Sequence, residues 1–139
     1  MMVIYHNPDC GTSRNVLEIL RKTHGEPVVI EYLKEGWTRP QLLGLFAAAG
    51  LTARAALRVS KSPAEALGLL SPDTSDADLI DAMIAHPVLV NRPIVCAPKG
   101  VRLCRPSETV LDLLDTPPQG TLTKEDGTPI PPHKAPPVD

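Results

Sequence analysis

Short β-branched runs alternate along this chain with stretches whose apolar residues recur at helical spacing. Val3-Ile4-Tyr5 predicts a short buried strand, and Arg14 to Lys22 predicts a helix with Val16, Leu17 and Leu20 on its inward face. Val28 to Leu33 predicts a second strand, and the helix between the two implies parallel pairing in a right-handed βαβ unit. A helical middle follows. Thr38 can cap a helix ending at Gly50, and Ser62-Pro63-Ala64-Glu65 combines a capping box with proline at the first helical position. Ser75-Asp76-Ala77-Asp78 opens another helix that should stop at His86, because Pro87 follows.

Beyond that helix, Ile94 to Ala97 and Val101 to Cys104 are apolar runs separated by Pro98-Lys99-Gly100, a tight hairpin signal. Ser107 can cap a last helix through Leu114. The order strand, helix, strand, helical insertion, strand, strand, helix implies an α/β fold. Its mixed four-stranded sheet has one parallel and one antiparallel half, with the helical insertion between the second and third strands. That is the thioredoxin-like arrangement. We expect one such domain over residues 1–117, with the insertion at about 36–87. Seven of the chain's sixteen prolines lie after Asp115, where large apolar residues are few. Residues 118–139 are therefore expected to form an extended or mobile tail, unable to offset the entropy of ordering.

Composition narrows the function classes. The formal charge is -2 with acids and bases interspersed, which argues against a nucleic-acid or anionic-lipid footprint. No stretch approaches the roughly 18 apolar residues that span a bilayer, and the first residues do not read as a secretory leader, so a cytoplasmic location is expected. Cys10, Cys96 and Cys104 have no C-x-x-C pairing and no zinc-like spacing with histidine, so neither a disulfide framework nor a metal site is expected. Cys96 and Cys104 lie in apolar runs and read as core residues.

Cys10 is different. It sits in the turn between the first strand and the first helix, where unpaired N–H groups and the helix dipole stabilise a thiolate. Arg58, Arg92, Arg102 and Arg105 fall at predicted loops and strand ends, and an arginine fork suits a tetrahedral oxyanion. Pro93 opens a strand at a position where this kind of fold often carries a cis peptide opposite the reactive cysteine.

Four segments carry a family resemblance: His6-Asn7-Pro8-Asp9-Cys10-Gly11-Thr12-Ser13-Arg14-Asn15, Ala56-Leu57-Arg58, His86 to Val95 with its Asn91-Arg92-Pro93-Ile94, and Arg102-Leu103-Cys104-Arg105-Pro106-Ser107-Glu108. In order and spacing they resemble the glutaredoxin-dependent arsenate reductases over roughly residues 2 to 115. Leu122 to Gly127 also resembles that family's C-terminal region, while the proline-rich end departs from it.

The resemblance implies that Cys10 is the nucleophile and that Arg58, Arg92 and Arg105 bind the oxyanion, leaving Arg102 as a surface charge. His6, Gly11, Thr12 and Ser13 would tune Cys10 or shape its loop. Arsenate would be the substrate, glutathione the co-substrate and glutaredoxin the protein partner of a monomeric enzyme with no bound cofactor. Cys10-Gly11-Thr12-Ser13 lacks a second thiol and cannot close its own disulfide, so electrons must come from outside. A tyrosine-phosphatase-like loop would need arginine six positions after the cysteine, where Val16 stands. The rival readings are a glutathione-dependent thiol reductase or transferase, an Spx-type redox regulator of the same fold, and a non-enzymatic binding protein.

Overall fold

The computed structural model describes residues 1–115 and 122–130. The chain forms two compact units, one made of Met1–Glu31 with Arg92–Asp139 and the other of Tyr32–Asn91.

The first unit contains the sheet. Strands β1 (Val3–His6), β2 (Val28–Glu31), β3 (Ile94–Ala97) and β4 (Gly100–Leu103) lie in the order β2-β1-β3-β4. The β1–β2 pair is parallel and the β1–β3 and β3–β4 pairs are antiparallel, as the element order implied. Helix α1 (Gly11–Thr23) joins β1 to β2 and buries Ser13, Val16, Leu17, Ile19 and Leu20. Side chains alternate across a strand, so Ile4 and His6 share the face of β1 that is buried. Ile4 packs there in one core with Val16, Leu20, Val95, Cys104 and Val110.

Register fixes what meets at one end of this sheet. Ile4 pairs with Val95 and Tyr5 with Ile94, so His6 aligns with Pro93 at the next position. Ile94 pairs with Leu103, the Cys104 N–H donates to the Pro93 carbonyl, and one step further Arg92 faces Arg105. The end of β1, the start of β3 and the end of β4 therefore present their polar residues side by side.

Two expectations fail here. The last helix is a 3₁₀ segment, Ser107–Leu113, and Ser107 is buried within it instead of capping it. The C-terminal segment is not loose over residues 122–130. Ile130 joins the core with Met2, Val16 and Leu114, Leu122 packs against the same cluster, and the Ile130 N–H donates to the Leu122 carbonyl. Asp126-Gly127 makes the turn, with Gly127 at φ 87°, a backbone angle that favours glycine. An apolar residue at each end anchors this strap, which the proline count obscured. Residues 118–121 and 131–139 of the expected tail lie outside the described residues. Ile130→Ala should cost about 2 kcal/mol of stability in urea unfolding, the low end for truncating a buried isoleucine. An unchanged midpoint would mean that the strap does not contribute to the core.

The second unit is helical. Thr38 caps α3 (Arg39–Ala49) in a reciprocal capping box with Gln41, and Gly50 closes that helix in the left-handed conformation. Thr52 caps the single turn α4 (Ala53–Ala56), and Ser75 caps α5 (Asp76–Ala85), which ends at His86 before a 3₁₀ turn at Pro87–Leu89. The strand expected through Leu33 stops at Glu31, where a helical turn, α2 (Tyr32–Glu35), begins and Gly36 closes it. Tyr32 stacks on Trp37 with ring centroids 5.1 Å apart. No regular helix follows Ser62. The Ser62 hydroxyl donates to the Arg58 carbonyl, and Gly68 at φ 73° ends the turn that Pro63 starts after a few residues.

Candidate active site

Cys10 occupies the N-cap of α1, where a capping oxygen would ordinarily sit, and is 7% exposed. The turn before it is fastened from within. The Asn7 side chain accepts from the Asp9 N–H at 2.9 Å, and the Asn7 carbonyl accepts from the Cys10 N–H at 3.1 Å. No acidic residue stands in the first turn of α1, so nothing there offsets the positive end of the helix. Burial pushes the Cys10 thiol up, but the Ser13 backbone N–H, the Arg92 charge and the Arg105 hydrogen bond and charge together outweigh it. The net direction is below the ordinary thiol range, which favours the thiolate.

Arg105 touches the sulfur directly. Its Nη1 lies 3.6 Å from Cys10 Sγ and also donates to the Arg92 carbonyl at 3.2 Å. Arg92 is buried and precedes Pro93 through a cis peptide bond. The sheet register thus brings two guanidinium groups to the sulfur from β3 and β4. Arg58 belongs to the second unit, where it is buried just after α4, with Nε donating to the Ser60 carbonyl at 2.9 Å. Arg102 is exposed on β4.

His6 and Ser13 form a second layer behind the nucleophile. His6 Nδ1 lies 2.6 Å from Ser13 Oγ, which also accepts from the Asn7 N–H at 3.0 Å. Burial lowers the His6 pKa, opposed by Glu31 and aided by Arg21 and Arg14, so the ring stays neutral further into the acid range than a free imidazole. With the proton on Nε2, the ring accepts the Ser13 hydroxyl proton at Nδ1, which leaves the Ser13 oxygen free to accept from the Asn7 N–H. Gly11 and Thr12 are partly buried in the first turn of α1.

The other two cysteines differ from Cys10 in environment. Burial pushes the Cys104 thiol up to about 12 and raises that of Cys96. Among the described residues, no cluster of His, Cys, Asp or Glu could hold a metal ion, and no helix is long and apolar enough to cross a membrane.

Arg14, Asn15 and Glu125 also belong to this region, and the sequence reading passed over them. Arg14 reaches back from α1 to the Pro8 carbonyl at 2.7 Å and forks onto the Glu125 carboxylate at 2.9 and 2.8 Å. The Glu125 N–H donates to Asn15 Oδ1 at 2.8 Å. The available signal was Asp126-Gly127 between Leu122 and Ile130, a hairpin turn between two apolar anchors. A groove of about 490 Å³ runs along this side, lined by residues that include His6, Pro8, Leu17 and Lys124. Its two arginines, Arg14 and Arg21, are each paired with a glutamate.

The ArsC family model matches residues 5–113, which include Cys10, Arg58, Arg92, Arg102, Arg105, the end of β1 and all of β2, β3 and β4. This chain belongs to the ArsC family. It is 68% identical over 127 residues to arsenate reductase ArsI2 of Synechocystis sp., covering 91% of each chain. It is 52% identical over 126 residues to an arsenate reductase of Escherichia coli, covering 91% of this chain and 89% of that one. Among solved structures, an arsenate reductase from Vibrio cholerae superposes with a TM-score of 0.77 at 38% identity, over 81% of this chain and 97% of the other. As an ArsC protein, the chain has a thioredoxin-like fold, with its mixed sheet interrupted between β2 and β3 by the helical unit.

Proposed function

We propose that this protein reduces arsenate to arsenite in the cytoplasm, as an arsenic-detoxifying enzyme that draws electrons from glutathione and glutaredoxin. The observation that carries the proposal is the placement of Arg105 3.6 Å from a buried N-cap cysteine, beside Arg92. A thiolate alone would repel an arsenate dianion, and two guanidinium groups at the same spot offset that repulsion before attack. The names carried by relatives at 68% and 52% identity support the choice of arsenate among oxyanions.

In this mechanism the Cys10 thiolate attacks arsenic of bound arsenate and an oxygen leaves as water, giving a covalent thiol–arsenate adduct. Arg92 and Arg105 carry the charge of the remaining oxygens, with Arg58 as the third arginine of the set. Glutathione thiolate then replaces a second oxygen on arsenic, again released as water. Collapse joins the two sulfurs: each thiolate gives up one electron, As(V) becomes As(III), and Cys10 is left in a mixed disulfide with glutathione. A glutaredoxin thiol takes the glutathione by exchange and frees Cys10. Ser13 stands where a second thiol would be needed for an internal disulfide, in keeping with an outside reductant. No bound cofactor is required.

The test is arsenate-dependent NADPH oxidation by the purified protein with glutathione, glutaredoxin and glutathione reductase. Turnover should require arsenate, glutathione and glutaredoxin together. Turnover that survives omission of glutaredoxin would remove that partner from the scheme, and none above the coupling background would reject arsenate reduction.

A further inference from the structure

We propose that Arg14 and Glu125 are positioning residues, a clamp by which the C-terminal strap fixes the Cys10 loop against the arginines that serve it. Arg14 is four residues beyond Cys10, and its backbone N–H closes the first helical hydrogen bond onto the Cys10 carbonyl at 3.0 Å. Its guanidinium turns back to the Pro8 carbonyl, two residues before Cys10. The side chain therefore closes a ring around the nucleophile, from the loop that enters it to the helix that leaves it. An arginine can hold a carbonyl and a carboxylate at once, because its planar fork offers five N–H groups in fixed directions.

Glu125 sets the direction of that fork. Its carboxylate takes the Nε–Nη2 edge of the guanidinium, and its own N–H is held by Asn15, the next residue on α1. The strap comes close enough that a Cβ on Gly11 would lie 3.2 Å from the Glu125 carboxylate. The residue directly after the nucleophile thus leaves room for the strap. At its far end the strap is anchored by Ile130 in the core. Arg105 meets Cys10 Sγ at 3.6 Å, a long contact to which a shift of a few tenths of an ångström in the loop matters.

The charged and titratable groups around Cys10 are Arg92 and Arg105 from the ends of β3 and β4, Asp9 in its own loop, Arg14 on α1, Glu125 on the strap beside Gly11, and the neutral His6 behind Ser13. Two roles for Arg14 make opposite predictions. If it were only a nearby positive charge, removing Glu125 would leave that charge unopposed and strengthen the thiolate. If it positions the loop, removing Glu125 would free the fork and weaken the thiolate.

The experiment is the pH dependence of Cys10 alkylation by iodoacetamide in the native chain, Glu125→Ala and Arg14→Met, with Glu125→Gln as the isosteric alternative should Glu125→Ala not fold. Circular dichroism and the melting temperature are recorded alongside. We expect the profile of each folded variant to move by about one pH unit toward the ordinary thiol range, so that alkylation on the rising limb of the native profile is about tenfold slower. A lower melting temperature with an unmoved profile would make the clamp merely structural and overturn the inference. Faster alkylation in Glu125→Ala would overturn it in favour of a simple charge effect. The inference rests on Cys10 as the nucleophile of the proposed reaction. Alkylation needs neither arsenate nor glutathione, so failure here and failure of the arsenate reading are separate results.

Discussion

Cys10→Ser should abolish arsenate-dependent turnover down to the coupling-enzyme background while leaving the fold intact. Serine nearly matches the size of cysteine, and the N-cap of α1 accepts it readily, since serine is among the favoured N-cap residues. Stability should therefore hold or rise slightly. Chemistry fails for two independent reasons. A serine hydroxyl remains protonated where the Cys10 thiol, drawn down by Ser13, Arg92 and Arg105 against burial, ionises. Serine also cannot supply the sulfur that leaves as half of a mixed disulfide, so even a bound ester of arsenate would not be reduced. Cys104, buried with its thiol pushed up to about 12, cannot substitute. Residual turnover above background in Cys10→Ser, with circular dichroism unchanged, would place the nucleophile elsewhere.

The second large effect is expected from Arg105→Ala. This one side chain contacts Cys10 Sγ and ties down the Arg92 carbonyl, so its loss removes a cation from the sulfur and loosens the backbone that carries the other cation. Removal of one preorganised donor from an oxyanion site costs on the order of 10² to 10³ in rate, and kcat/KM for arsenate should fall by at least that much. Arg105→Lys should recover part of the loss, because lysine restores the charge but cannot hold the sulfur and the carbonyl together. Arg102→Ala, three residues away on an exposed position of β4, is the internal control and should change kcat/KM little. Equal losses in Arg102→Ala and Arg105→Ala would point to general charge on this face in place of directed contact.

The two residues illustrate how unevenly a sequence reports its own site. Arg102 and Arg105 are indistinguishable by composition and lie in the same hairpin arm. The family resemblance selected Arg105 for the site, and the geometry supplies the reason. The β3–β4 register places position 105 opposite position 92 at the sheet end where β1 delivers the Cys10 loop, while Arg102 pairs with Val95 in mid-strand and projects to solvent. His6 was legible in a similar half-way: its place at the end of β1 was visible, but its bond to Ser13 depends on α1 crossing the buried face of that strand.

Much of the fold was written locally. The β-branched runs, the caps at Thr38 and Ser75, the glycine at 50 and the hairpin at Pro98-Lys99 each act over a few residues, so their signals survive in a linear reading. The errors lie where local and distant forces disagree. Ser62-Pro63 starts a turn as a helix would, but Gly68 follows too soon in a left-handed conformation. Ser107 could cap a helix, yet it is drawn inside the protein.

Sequence by itself determined the order of elements, the placing of a single cysteine at a helix start and the absence of a second thiol three residues on, because these depend on neighbours along the chain. Only the tertiary structure decided which arginines meet that cysteine and that residues 122–130 reach back across more than a hundred positions to grip Arg14. Such contacts are set by sheet register and core anchoring, and a linear pattern holds no distance between residues that far apart.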